Sequence, residues 1–438
     1  MTETLIFLIA MLLISLFLGV PVSTALGFTA LAAIMAFMGS LHLTRFGIIA
    51  FTQGTSLNQM VAPLFIVMAE FLARGGMADD IYALLSRLMR RLRGGLALST
   101  TLACTVFAAL CGSSPATAAA IGRISISQMT SRGYRPDFAV GTVAAGGTLG
   151  IMIPPSLTFV LYGIITETSI AKLLMAGLLP GLMLSAMFCI SIIIRVRLNP
   201  RIVTDDPPEK TGNAGERDSD GDSLRKGISA AVPAFALIFL VLGTMYTGLA
   251  TPTEAAGFGA VGALLIVSLQ RRLNARIFKE TLLASARTSC MILFMIIMGF
   301  CLSYVISYLG IAQQLATFII GSGLNRWSVM IMLFVLWFIM GCLMDPGSMV
   351  ILTVPFIYPA LIGMGFDAIW LGVVSTLCVE IGMITPPVGL NLFILRSISD
   401  VPMGMIIKGA LPYVGVLITG LTILCVFPQI ALFLPSMM

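Results

Sequence analysis

The sequence predicts an all-α polytopic membrane protein: two halves of five spans plus one re-entrant hairpin each, the second half inverted relative to the first. Three observations carry that prediction. Of the 438 residues, 58% are hydrophobic and 10% charged, against roughly 25% charged in ordinary soluble domains, and the mean hydropathy is +1.04. A soluble fold keeps much of its surface in water and could not hide that much apolar area. Lys and Arg are distributed very unevenly between the apolar runs, and residues that shape backbone recur at a fixed offset between the two halves.

At ~20 residues per crossing the length suits about ten to twelve spanning segments. The 43 glycines and 21 prolines favour helices over a barrel, and runs such as 289–306 and 329–344 lack the alternation of a lipid-facing strand. Spans are expected at about 4–20, 22–38, 47–73, 136–165, 172–194, 228–247, 253–270, 281–309, 368–395 and 405–427. Thr2 and Glu3 lead into the first with no basic region or cleavage site, so it is expected to be retained as a helix.

Two further apolar stretches, 95–127 and 328–360, each carry a polar Gly/Pro break near the middle. An arm of ~16 residues makes ~24 Å of helix, short of a comfortable crossing, so both are read as hairpins that enter and leave on one side. Residues 200–226 are hydrophilic, rich in Asp, Glu, Gly and Pro, and without an aromatic. They read as a flexible cytoplasmic linker within 198–227, joining halves 1–197 and 228–438.

With 74–94 cytoplasmic, the same side receives 123–135, 195–227, 271–287 and 396–408, and these five stretches hold 22 of the 25 Lys and Arg. Only Arg45, Lys172 and Arg326 remain for the other face, the bias that the positive-inside rule requires. Both termini are then expected on the periplasmic side of a bacterial cytoplasmic (inner) membrane. The net charge of +6 is explained by this asymmetry, and no nucleic-acid partner is expected. The eight cysteines form no C-x-x-C pair and His42 is the one histidine, so neither a zinc site nor a disulfide framework is expected. No nucleotide-binding P-loop and no nucleophile–base constellation appear, so the chain reads as neither an ATPase nor any other enzyme.

At an offset of 232 residues, Gly133, Gly150, Pro154, Pro155, Gly177, Leu179 and Pro180 correspond to Gly365, Gly382, Pro386, Pro387, Gly409, Leu411 and Pro412. Five spans is an odd number, so the second half starts on the opposite side. Inverted repeats with interrupted helices mark secondary transporters. The first hairpin turns at Gly112, Ser113, Ser114 and Pro115, the second at Asp345, Pro346, Gly347 and Ser348. Gly permits the turn, Pro opens a helix whose first amides are unpaired anyway, and Ser can cap those amides.

The following element of each half is broken by Pro154-Pro155 and Pro386-Pro387, which remove amide donors and free upstream carbonyls. A monovalent cation can exchange its water for such neutral oxygens. The expected ligands of such a cation are Ser113, Ser114, Gly147, Thr148, Gly150, Asp345, Gly382 and Thr385, largely through backbone carbonyls. The expected contacts of an anionic solute, at helix N-termini and neutral side chains, are Gly112, Ser113, Ser114, Pro115, Ser156, Gly347, Ser348 and Asn391. Asp345 is the one acid in a hairpin tip, where a cation site and a helix cap compete as explanations. Glu380 can pair within the same region, Glu70 with Arg74 one turn on, and Glu254 with the free amides of its own helix.

In this order, Asn58-Gln59-x-x-Ala62-Pro63-Leu64-Phe65, Gly112 to Gly122, Gly150-x-x-Ile153-Pro154-Pro155-Ser156 and Gly382-x-x-Thr385-Pro386-Pro387-Val388-Gly389-x-Asn391 resemble the large membrane subunit (DctM-like) of a tripartite ATP-independent periplasmic (TRAP) transporter. The resemblance covers nearly the whole chain. It implies an elevator-type secondary transporter without a cofactor, coupled to sodium ions. It also implies a small four-helix membrane subunit, a periplasmic substrate-binding protein, and as cargo an organic acid anion such as a C4-dicarboxylate, a sialic acid or another sugar or keto acid. The alternative is a stand-alone sodium- or proton-coupled carboxylate carrier or antiporter of similar architecture. No Arg or Lys is positioned at the four breaks to grip a carboxylate, so anion recognition would rest on hairpin amides and hydroxyls, with Arg123, Arg287 or Arg396 reached sideways.

Overall fold

A computed structural model describes residues 2–203, 220–321 and 323–438. Most of the expected linker therefore lies outside the described residues. The first half contains α1 (Thr2–Phe17), α2 (Val22–Ala33), α3 (Leu41–Gly54), α4 (Val61–Arg74), α5 (Met77–Leu88), α6 (Gly95–Cys111), α7 (Ser114–Ser131), α8 (Pro136–Thr148), α9 (Leu157–Thr166) and α10 (Ile170–Leu198). The second contains α11 (Asp220–Tyr246), α12 (Pro252–Leu269), α13 (Ala275–Tyr308), α14 (Ile311–Gly321), α15 (Arg326–Leu343), α16 (Pro346–Gly363), α17 (Ala368–Met383), α18 (Leu390–Ile398), α19 (Met403–Val426) and α20 (Gln429–Ser436).

Local chemistry sets most of these boundaries. Ser156, Ser169, Asn274, Asn325, Asp345 and Asp367 each cap the helix that follows with a side-chain oxygen. Thr251 and Glu254 form a reciprocal capping box ahead of α12, which satisfies two otherwise free amides. The Glu70 carboxylate accepts from Arg74 at 3.0 Å. The stretches 95–127 and 328–360 are each two helices joined by a short turn, α6–α7 and α15–α16, and helix also stops between α8 and α9 and between α17 and α18.

Two expectations need correction. The span expected at 47–73 is divided between α3 and a helix resuming with a tight turn at Leu57–Met60. The reason is local: the Thr55 hydroxyl bonds the Phe51 and Thr52 carbonyls, and Ser56 is extended. The arms of the second hairpin are 18 residues each and are long and apolar enough to cross, as are Leu57–Arg74, α10, α12, α13 and α19. At about 27 Å length alone does not keep that hairpin from spanning. What distinguishes it is that Pro346, Gly347, Ser348, Met349 and Val350 at the start of α16 are buried inside the protein.

The halves interlock rather than lie side by side. The α12 helix packs on α4, and α13 on α2. These are equivalent pairs exchanged between halves, and they form one layer. In the other layer α7 packs on α18 and α16 on α9, while α8 packs on α19 and α10 on α17. Each hairpin's second arm therefore rests on the broken helix of the opposite half. Small residues allow the closest approaches: a Cβ at Gly141 would strike the backbone of Gly409, and one at Gly409 the Asp137 carbonyl. Outside this bundle, Arg272 donates to both Asp80 oxygens at 2.7 and 2.9 Å and to the Gly75 carbonyl at 2.8 Å, fixing the α4–α5 corner to the α12–α13 loop.

Candidate functional site

The first hairpin turns in two residues. Gly112 has φ +63°, and a Cβ there would strike the Pro155 carbonyl oxygen. The Leu157 N–H donates to the Gly112 carbonyl at 3.4 Å. A Cβ on Gly150 would lie 2.5 Å from the Ser113 carbonyl oxygen and 2.7 Å from Ser114 Cα, and one on Gly147 would lie 2.8 Å from Ala118 Cβ. The tip is thus seated in the break of its own half, with carbonyls and glycine backbone in direct contact. Around it, residues 151–156 are buried.

In the second half the break is met by the end of α15 rather than by the tip itself. The Gly389 N–H donates to the Cys342 carbonyl at 3.0 Å. A Cβ on Gly382 would lie 2.5 Å from the Gly341 carbonyl carbon and 2.6 Å from the Cys342 nitrogen. Both Pro-Pro bonds, 154–155 and 386–387, are cis. Here the break is open: Pro386 and Pro387 are exposed, and so is Asp345.

The two crossings between halves differ chemically. Where α7 meets α17 and α18, the Ser114 hydroxyl donates to Glu380 Oε2 at 3.1 Å, and Asn391 Nδ2 donates to Ser114 Oγ at 2.8 Å. All three residues are buried. Where α16 meets α9, the equivalents of Glu380 and Asn391 are Thr148 and Phe159. There a Cβ on Gly347 would lie 2.9 Å from Leu161, and the Ser348 hydroxyl turns back to donate to Asp345 of its own tip, with the Met295 sulfur of α13 beside it at 3.5 Å. One crossing is polar and the other is apolar.

The remaining expected residues fall around these tips with varied employment. Ser156 accepts from the Phe159 N–H at 3.3 Å as a helix cap. The Thr148 and Thr385 hydroxyls each donate to a carbonyl of their own helix at 2.6 Å, Ala145 and Ile381 respectively. Asp345 accepts from the Ser348 N–H at 2.9 Å and also from its hydroxyl. Of its two competing explanations, the geometry supplies the helix cap. Pro115 and Pro346 occupy the first turns of α7 and α16. Arg123, Arg287 and Arg396 are all exposed, and Arg396 donates to the Val401 carbonyl, so none of them enters the site. The residue that the sequence undervalues is Glu380: its place two residues before Gly382 is legible, but its hydrogen-bond partner Ser114 lies 266 residues away.

The family model for the tripartite ATP-independent periplasmic transporter, DctM component, matches residues 9–430. A C4-dicarboxylate TRAP transporter large permease protein of Pseudomonas aeruginosa is 34% identical over 386 residues, covering 86% of each chain. An ectoine TRAP transporter large permease protein of Halomonas elongata is 30% identical over 421 residues, covering 96% of each chain. Among solved structures, the YdaH transporter of Alcanivorax borkumensis shares the fold with a TM-score of 0.59 at 16% identity, covering 92% of this chain and 89% of that one.

Proposed function

Because the chain belongs to the DctM-component family of tripartite ATP-independent periplasmic transporters, we propose that it is the permease through which an organic acid anion enters the cell, coupled to sodium and fed by a periplasmic binding protein. The observation that carries this reading is the pair of hairpins, each packed against the break of its own half and crossing onto the other half. Irregular backbone of this kind is stable within a bilayer only where protein or a watery cavity surrounds it. Paired breaks in two repeats are the usual seat of solute and coupling ions. The proposed ion contacts are the carbonyls of Ser113 and Gly147 with Thr148 and Gly150 in the first half, and Gly382 with Thr385 in the second. Asp345 is left out of the set because its oxygens are already engaged as a cap.

The solute would be held by hairpin amides and hydroxyls, because among the described residues Arg123, Arg287 and Arg396 are exposed away from the tips. Relatives are named for a C4-dicarboxylate, for isethionate and for ectoine, small polar organic solutes, and these names support an organic cargo without selecting its member. Each net positive charge moved inward gains ~2.3 kcal/mol per 100 mV, and a divalent anion opposes this with two charges. Inward positive current with such a cargo then needs more than two sodium ions per turnover.

The partners in this reading are a small membrane subunit and the binding protein, with the permease in the inner membrane and both termini periplasmic. Reconstitution into liposomes tests it. Uptake of one member of an organic acid panel should need an inward sodium gradient and all three components. Uptake by this chain alone would establish the stand-alone carrier instead.

A further inference from the structure

We infer that Glu380, Asn391 and Ser114 form a site for one monovalent cation, built from side chains at the polar crossing between the halves. It rests on the sodium-coupled reading and adds to it an ion position separate from the two backbone positions at the tips.

The hydrogen-bond inventory leads to this site. Ser114 donates to Glu380 Oε2 and accepts from Asn391 Nδ2, which uses its one proton and one lone pair. Glu380 Oε1 and Asn391 Oδ1 remain buried with no donor. Glu380 is 1% exposed, while Asn391 and Ser114 are fully buried. A carboxylate held this way is costly unless a cation, a donor or a proton meets it, and a cation is the one of these that also engages the free Asn391 oxygen without altering the carboxylate.

The protein supplies no such cation among the described residues. On the helices that pack around α17, Arg326 lies over Trp327 and Phe366, and Arg195 over Phe138 and Tyr413. Arg396 and Lys408 are exposed, as is Arg123 on α7. One formal charge with amide and hydroxyl oxygens suits a singly charged ion. A divalent ion draws more acidic ligands, and among the described residues no three His, Cys, Asp or Glu side chains gather to hold one.

The site is also distinct in architecture. The tip positions join a hairpin to the break of its own half, whereas this cluster joins α7 of the first half to α17 and α18 of the second. Its equivalent in the other crossing is absent, since Thr148 and Phe159 replace Glu380 and Asn391. An ion here would tie the first hairpin to the opposite broken helix, so occupancy would brace the two halves as one body.

The test is binding of radioactive sodium to the purified transporter with its small subunit, together with the sodium dependence of uptake in liposomes. Glu380→Gln keeps the shape and an oxygen for Ser114 but removes the charge. It should bind one sodium ion fewer than wild type and need at least tenfold more sodium for half-maximal uptake. Asn391→Ala should raise that sodium requirement several-fold at saturating organic acid. If Glu380→Gln does not fold, Asn391→Ala decides by the same readouts. Sodium-dependent wild-type protein with both values unchanged in the folded variants would overturn this site alone. Wild-type protein that binds no sodium would overturn the coupling reading and the site with it.

Discussion

Gly150 and Gly382 occupy equivalent positions, and each touches hairpin backbone so closely that a methyl group has nowhere to go. Alanine at either should destabilise by about 1–3 kcal/mol, the usual cost of forcing a methylene into a packed site, and should abolish uptake. Gly415 is the control, because nothing lies within 4 Å of its missing Cβ. Alanine there should leave uptake intact and hold or raise the melting temperature, since Ala is the better helix former. Asp345 calls for a different pair of variants. Asn is as good a cap as Asp, so Asp345→Asn should keep the sodium requirement near wild type, while Asp345→Ala should cost about 1 kcal/mol of stability. A large rise in sodium requirement in the Asn variant would return Asp345 to the ion site. The capping role was legible beforehand, because Asp-Pro-Gly-Ser sets a cap three residues before a hydroxyl and an amide. The pairing of Glu380 with Ser114 was not, because nothing local to either residue demands the other.

At the scale of elements, the hairpin turns and the helix breaks follow from local backbone chemistry. Two prolines in succession cannot donate to the preceding turn, and Gly-Ser-Ser-Pro combines a tight turn, a cap and a first-turn proline. Replacing both Pro154 and Pro155 by Ala would return two N–H donors and favour a continuous helix. Initial uptake rate should then fall well below wild type at equal expression, and wild-type rates would show that the break is dispensable. The latch of α5 is a tertiary feature by contrast. Arg272→Lys loses the paired geometry on Asp80, and for a partly exposed pair the expected loss is about 1 kcal/mol, read as a small drop in melting temperature without loss of binding. The split of the expected span at 47–73 also belongs to this scale: an apolar run of sufficient length gave no sign that Thr55 would turn its hydroxyl back onto its own helix.

For the molecule as a whole, the two-layer packing predicts where relative motion would be felt. An ideal Cβ at Gly299 on α13 lies 3.8 Å from Ile351 Cβ on α16, a separation typical of a disulfide. In a background without the native cysteines, Gly299→Cys with Ile351→Cys should form a bond on oxidation that stops uptake, and reductant should restore it. Continued uptake with the bond formed would mean that the second hairpin does not move against α13. By itself, the sequence determined the membrane class, the charge asymmetry, the repeat and the four places where helix must stop, because hydropathy, glycine and proline act on the chain locally. Only the tertiary structure decided that each hairpin rests on the opposite half, that one crossing is polar and the other apolar, and that a single buried carboxylate sits at the polar one. Those outcomes depend on which surfaces meet across more than two hundred residues, and no local preference encodes that meeting.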